Sequence, residues 1–242
     1  MLFPLHDKNP LKVIRFQTVT AALIVINVLV FLYSDMFLGD VARERLYLSF
    51  GMVPAVLSGN AVLSQELVVI PALLTPFTSL FLHGGLMHLL GNMAFLWVFA
   101  DNVEDSFGHG RFALFYLFCG LMAGLAHLLM APKSQIPLIG ASGAISGVLA
   151  AYLVLFPRSR VLSLFGIIPV ELPALWVLGA WLVFNLVYFL TSGAEDGVAW
   201  SAHLGGFLSG LLITLLFRDR IRLRLARGAA QRRGDEMGRR EV

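Results

Sequence analysis

The sequence predicts an all-α membrane protein, a bundle of six transmembrane helices whose fourth is short and sunken among the others. Three observations predict it. The 242 residues are 58% hydrophobic and only 14% charged, against about 25% charged in a soluble domain. Apolar stretches of nearly spanning length recur along the chain, and the segments between them collect the Gly, Pro and charged residues that stop helices. Lys and Arg gather in alternate connections, as cytoplasmic loops of a polytopic protein do.

The elements follow in order. Residues 1–12 are a short basic tail. The first span, 13–34, contains the apolar run Val19 to Tyr33 with no small-residue cleavage site, so it is expected to stay as a span. Residues 35–76 are a long mixed segment. The second span, 83–101, ends in "DNVEDSFGHGR", and the third, 111–131, in "APKSQIPLIGA". The fourth, 142–156, stops at Pro157; "PRSRVLSLFGIIPVELP" leads to the fifth, 173–191, and "TSGAEDGVAWS" to the sixth, 201–217. Residues 13–217 thus form one six-span domain. Residues 218–242, polar and Arg-rich, are expected to be a disordered basic tail near anionic lipid; nothing else in the chain suggests nucleic-acid binding. The lone Cys119 lies in an apolar helix and reads as a packing residue, which leaves no disulfide framework.

Charge sets the orientation. Lys8, Lys12 and Arg15 precede the first span, Arg158 and Arg160 follow the fourth, and Arg218, Arg220, Arg222 and Arg224 follow the sixth. All fall on one side of a six-span topology, so both termini are expected to be cytoplasmic.

Polar residues inside spans are costly and mark function by default. Four stand out: His88 and Asn92 in "HGGLMHLLGNMAF", Ser142 in "GASGAISG", and His203 in "SAHLGGFLSG". Counting to the cytoplasmic edge, Ser142 precedes Arg158 by 16 residues and His203 precedes Arg218 by 15. At 1.5 Å per residue both lie roughly 22 to 24 Å above that edge. His88 precedes Glu104 by 16 residues, and Asn92 is one turn lower on the same face. Three spans therefore converge on one layer. The small residues Gly143 and Gly147 in the fourth span, and Gly206 and Gly210 on the His203 face of the sixth, would let the two backbones approach.

That set of groups suits nucleophilic chemistry. An adjacent base activates a serine hydroxyl, and His203 has the depth and the helix face for that role toward Ser142. His88, Asn92 and the Ser142 backbone N–H are candidate donors to a developing oxyanion. No Asp or Glu shares the layer, so a Ser–His dyad is expected, its histidine oriented by packing. His83 is a candidate accessory residue near the outer boundary, while His6, His109 and His127 have no expected partner at matching depth.

In these motifs the sequence resembles the rhomboid family of intramembrane serine proteases. "GASG" around Ser142, "AHLGGFLSG" around His203 and the pair His88 and Asn92 match the family's motifs in order and spacing, and the likeness runs over residues 13–217. The resemblance implies a serine endopeptidase that cuts single-span membrane proteins near the outer end of their transmembrane helix, in the lipid bilayer, without metal or cofactor. It also implies that the fifth span and the loop holding Gly193 and Gly197 act as gate and lid, and that Glu104 is structural. Two features depart from the family. The Trp–Arg pair of the first external loop is absent from residues 35–76, and Ser146 stands where some members place an aromatic ring against the histidine. Ser146 is therefore a second accessory candidate. The alternative is an inactive rhomboid-like binder of transmembrane helices, although such relatives usually lose the serine or histidine. A channel or transporter is disfavoured by the short spans and the lack of an internal repeat, and a zinc metalloprotease by the lack of HExxH. The compact six-span form points to a bacterial plasma membrane.

Overall fold

A computed structural model describes residues 2–191 and 199–238. In chain order the elements are β1 (Leu2–Asp7), α1 (Thr18–Met36), α2 (Asp40–Phe50), the single turns α3 (Pro54–Leu57) and α4 (Thr75–Thr78), α5 (Leu86–Phe107), α6 (His109–Met130) and α7 (Ser142–Leu155). They are followed by β2 (Arg160–Phe165), β3 (Ile168–Pro173), α8 (Ala174–Thr191) and α9 (Trp200–Gly238). Among the described residues α1, α5, α6, α8 and α9 are long and apolar enough to cross a membrane. The protein is thus a multi-pass helical membrane protein. At 14 residues, α7 is shorter, about 21 Å of helix.

That short helix is the core. Every residue from Gly143 to Tyr152 is buried, between α6 on one side and α9 on the other. Small residues permit this. A Cβ on Gly206 would lie 1.9 Å from the Gly143 carbonyl oxygen, and one on Gly210 would lie 2.3 Å from that of Gly147. On the opposite flank, a Cβ on Gly147 would meet Cys119 Sγ at 2.5 Å, and one on Gly143 would meet Ala123 Cβ at 2.5 Å. Cys119 is a free, fully buried thiol within this packing.

Two adjacent carboxylates at the end of α5 organise the N-terminal arm. α1 has neither an acidic residue in its first turn nor a side-chain cap. Glu104 supplies what is missing: its carboxylate, fully buried, accepts from Val19 N (2.9 Å), Thr20 N (2.8 Å) and Thr20 Oγ1 (2.7 Å). It also lies 2.5 Å from His109 Nδ1. A carboxylate at the positive end of a helix is well placed for both the free N–H groups and the dipole. Asp105 accepts from the backbone N–H groups of Lys12, Val13 and Ile14 at 2.7 to 2.8 Å. His109, expected to lack a partner, has one in Glu104.

Three departures from the sequence reading concern this end of the molecule. The basic segment expected to be a disordered tail continues α9 without a break to Gly238. Ile221 and Leu225, one turn apart, are buried in the core cluster, and a Cβ on Gly228 would meet Val13 Cγ2 at 2.6 Å. Arg224 and Arg232 donate to the carbonyls of Asp105 and Ile14. A helix that gains these contacts has no reason to stop at its first arginine. The second departure is a three-stranded antiparallel sheet, β1–β2–β3, where only tail and loop were expected. β2 and β3 are joined by Gly166 and Ile167, with Gly166 at φ +61, the positive-φ first position of a two-residue hairpin turn. β1 pairs along β2 and so fastens the N-terminal tail to the connection between α7 and α8. The third departure is that α5 runs past the expected end of the second span to Phe107.

Inside this corner Asp7, 6% exposed, accepts a hydrogen bond from Tyr152 Oη. Burial pushes its carboxyl above the usual 3.8, outweighing the Tyr152 hydrogen bond, which acts the other way. A raised folded-state value means that ionised Asp7 opposes folding, and that the handicap builds as pH rises above the unfolded value of 3.8 and is complete above the folded one. Asp7→Asn, which keeps an acceptor for Tyr152, should therefore be more thermostable than the parent in detergent at pH 7. Its advantage should shrink at pH 4, as measured by thermal unfolding at both values. Gly206→Val should lower stability by at least about 1–3 kcal/mol through overpacking. Gly179→Ala, where a Cβ meets nothing within 4 Å, should leave stability unchanged in the same assay.

Candidate active site

Ser142 is the first residue of α7, so its backbone N–H has no acceptor within the helix. The approach to it is held by the first connection: Met52 and Leu138 exchange backbone hydrogen bonds at 3.1 and 2.8 Å, and Gly140 N donates to Ser79 O at 2.9 Å. Residues 35–76, which the sequence left as a mixed segment, carry α2 and α3. α2 reaches the site wall, where Tyr47 Oη donates to the His83 carbonyl at 2.8 Å.

The close contact of α7 with α9 puts His203 beside this helix start. His203 Nε2 lies 2.8 Å from Ser142 Oγ. The other ring nitrogen, Nδ1, lies 2.7 Å from Asn185 Oδ1 on α8. Two indoles flank the imidazole: Trp181, with ring centroids 6.2 Å apart, and Trp200, at 5.7 Å and perpendicular. Packing was the expected restraint on His203, and the two indoles provide it; the Asn185 hydrogen bond is an addition to that expectation. Ser146, the second accessory candidate, lies one turn along α7. It is fully buried, and its hydroxyl donates to the Ser142 carbonyl at 2.7 Å, one turn back along its own helix.

The His88 and Asn92 pair meets the same segment from α5. A Cβ on Gly140 would lie 2.7 Å from His88 Nε2 and 3.7 Å from Asn92 Nδ2, so both side chains face the backbone two residues before Ser142. Asn92 is buried and lies 2.9 Å, through Nδ2, from His83 Nε2. The rings of His83 and His88 meet edge to face with centroids 5.0 Å apart. His83, 1% exposed, thus holds the Asn92 amide. His127, expected to have no partner, lies 3.0 Å from Ser201 Oγ on α9. The proposed lid glycines, Gly193 and Gly197, lie outside the described residues.

Sequence reasoning missed Asn185, although a signal existed: it is the sole amide side chain in the apolar run 174–191. The arrangement offers a hydroxyl in contact with an imidazole, at the positive end of a buried helix, facing a side-chain amide and a second imidazole. Such a group can attack a carbonyl and stabilise the charge that develops.

Comparisons with known proteins identify the family. The sequence matches the Rhomboid domain family over residues 72–220, more than half of the chain. It is 34% identical over 134 residues to RHOMBOID-like protein 5 of Arabidopsis thaliana, covering 55% of this chain and 40% of that protein. It is also 34% identical over 141 residues to Rhomboid protease GluP of Bacillus subtilis (strain 168), covering 57% and 24% respectively. Presenilin-associated rhomboid-like protein of Mus musculus is 29% identical over 153 residues, 61% of this chain and 38% of that one. The chain thus spans well under two thirds of the length of these relatives.

Gly140 has φ +118, a region that costs a non-glycine residue about 1–3 kcal/mol. Gly140→Ala should lose that and a further amount for the collision with His88. Gly59→Ala, at φ +74 with nothing within 4 Å, should lose the backbone cost alone. Thermal unfolding of the two variants in detergent measures the difference.

Proposed function

Because the chain belongs to the rhomboid family, we propose that it is an intramembrane serine endopeptidase acting through Ser142 and His203. The observation that carries this reading is the 2.8 Å hydrogen bond between Ser142 Oγ and His203 Nε2. Ser142 Oγ attacks the scissile carbonyl carbon while its proton passes to Nε2. The imidazolium then gives that proton to the leaving amine, and water, deprotonated in turn by His203, hydrolyses the ester and restores the hydroxyl. The oxyanion is stabilised by the Ser142 N–H, the Asn92 amide and His88, assisted by the dipole of α7.

The substrates are single-span membrane proteins, cut near the outer end of their transmembrane helix. Here α7, the fourth span in chain order, completes the bundle of six, enclosed by the others and starting below the outer surface. Supporting this count, β1, the α7–α8 connection and the end of α9 all gather at the Glu104 end of α5, as an even number of spans requires. The arginine-rich end of α9 and the Lys and Arg residues of the first tail make that end cytoplasmic. We propose a bacterial plasma membrane from the compact six-span form. An inactive helix-binding relative is the less favoured reading, since both Ser142 and His203 are kept and in contact.

The test is reconstitution with a tagged single-span substrate. Ser142→Ala and His203→Ala should each reduce cleavage at least about 10³-fold, and a fluorophosphonate probe should label the parent but not Ser142→Ala. Asn92→Ala should lose about 2.7–4 kcal/mol of transition-state stabilisation, the usual cost of one oxyanion donor. Undiminished cleavage by Ser142→Ala or His203→Ala would overturn the assignment.

A further inference from the structure

We propose that Asn185 is a positioning residue for the Ser142–His203 pair, selecting the imidazole tautomer that leaves Nε2 free to act as base. This rests on the protease reading given above. A neutral imidazole carries its proton on one ring nitrogen, and only the unprotonated one can accept from Ser142. Nothing in the stacking of Trp181 or Trp200 distinguishes the two nitrogens. Asn185 does. Its Nδ2 donates to the Trp181 carbonyl at 2.8 Å, one turn back along α8. Turning the amide over would set Oδ1 against that carbonyl, acceptor to acceptor, so the amide has one favourable orientation. Oδ1 then faces His203 Nδ1 at 2.7 Å, and because a carbonyl oxygen only accepts, Nδ1 must carry the hydrogen. Nε2 is left with its lone pair toward Ser142 Oγ. A chain of three bonds, from the α8 backbone through the amide and imidazole to the hydroxyl, sets the direction of proton transfer.

The burial pattern of α8 points to the same role. Its other buried residues, Ala174, Val177 and Leu178, lie in the first half of the helix, and Asn185 alone is buried in the second. An amide 1% exposed in an apolar helix is costly unless its hydrogen bonds are met, and here one of them ends on the His203 imidazole.

The experiment uses the full chain in proteoliposomes with a tagged single-span substrate. Alongside it, ¹⁵N-histidine NMR of the protein in detergent reads the His203 tautomer without any turnover. Asn185→Leu and Asn185→Ala should lower kcat about 10- to 100-fold with KM within about twofold, an effect of the size general-base alignment supplies. In Asn185→Leu the Nδ1–H tautomer of His203 should give way to a mixture. Parent-level kcat in Asn185→Leu, or an unchanged Nδ1–H tautomer in Asn185→Leu, overturns the proposal. Failure of the parent to cleave, or cleavage that survives Ser142→Ala, would instead overturn the protease reading; the tautomer measurement would still decide the role of Asn185.

Discussion

The contact on which the rest depends is between two backbones. Gly206 and Gly210 of α9 rest on the carbonyls of Gly143 and Gly147 of α7 at distances no Cβ could share. In lipid there is little hydrophobic force to bring helices together, so close van der Waals contact between small residues carries the association. Because His203 precedes Gly206 by less than one turn and Ser142 immediately precedes Gly143, that contact also sets the separation of hydroxyl and imidazole. Packing and chemistry here are one constraint, and no side chain could be added at these glycines without moving both helices.

A second constraint works at the opposite end of α5. Glu104 and Asp105 are neighbours in sequence, yet they serve different segments: one caps α1 and the other holds the three N–H groups of residues 12–14. Carboxylates buried in this way are tolerated because each oxygen is met by donors. The end of α9 then packs on the arm that Asp105 has ordered. The long final helix is therefore held at both ends, by α7 near the site and by the N-terminal arm at the other end.

Much of the helical architecture was legible in the chain, since apolar runs and their charged breaks follow directly from bilayer thickness. The meeting of Ser142 and His203 was legible too, because counting residues to a charged boundary compares depths without knowing any packing. Asn185 escaped that reasoning because depth says nothing of which face of α8 turns inward, and one amide in an apolar run looks incidental until its neighbours are known. The β2–β3 hairpin was hidden by Arg160 and by its prolines, which read equally well as loop. The end of α9 was misjudged because charge composition outweighed the single pair Ile221 and Leu225, whose spacing is helical but short. In each case the missing information was a contact with a segment distant in sequence.

The partners of His203 also bear on how such a site can exist inside a bilayer. An aspartate in the place of Asn185 would bring a full charge into surroundings where ion desolvation costs several kcal/mol, and it would bear that cost at all times. Serine, histidine and asparagine are all neutral at rest. In the proposed reaction charge separates only when the hydroxyl proton moves, producing an imidazolium and an oxyanion a few ångströms apart that offset each other. Under that proposal the surroundings solvate a short-lived dipole and never a standing ion.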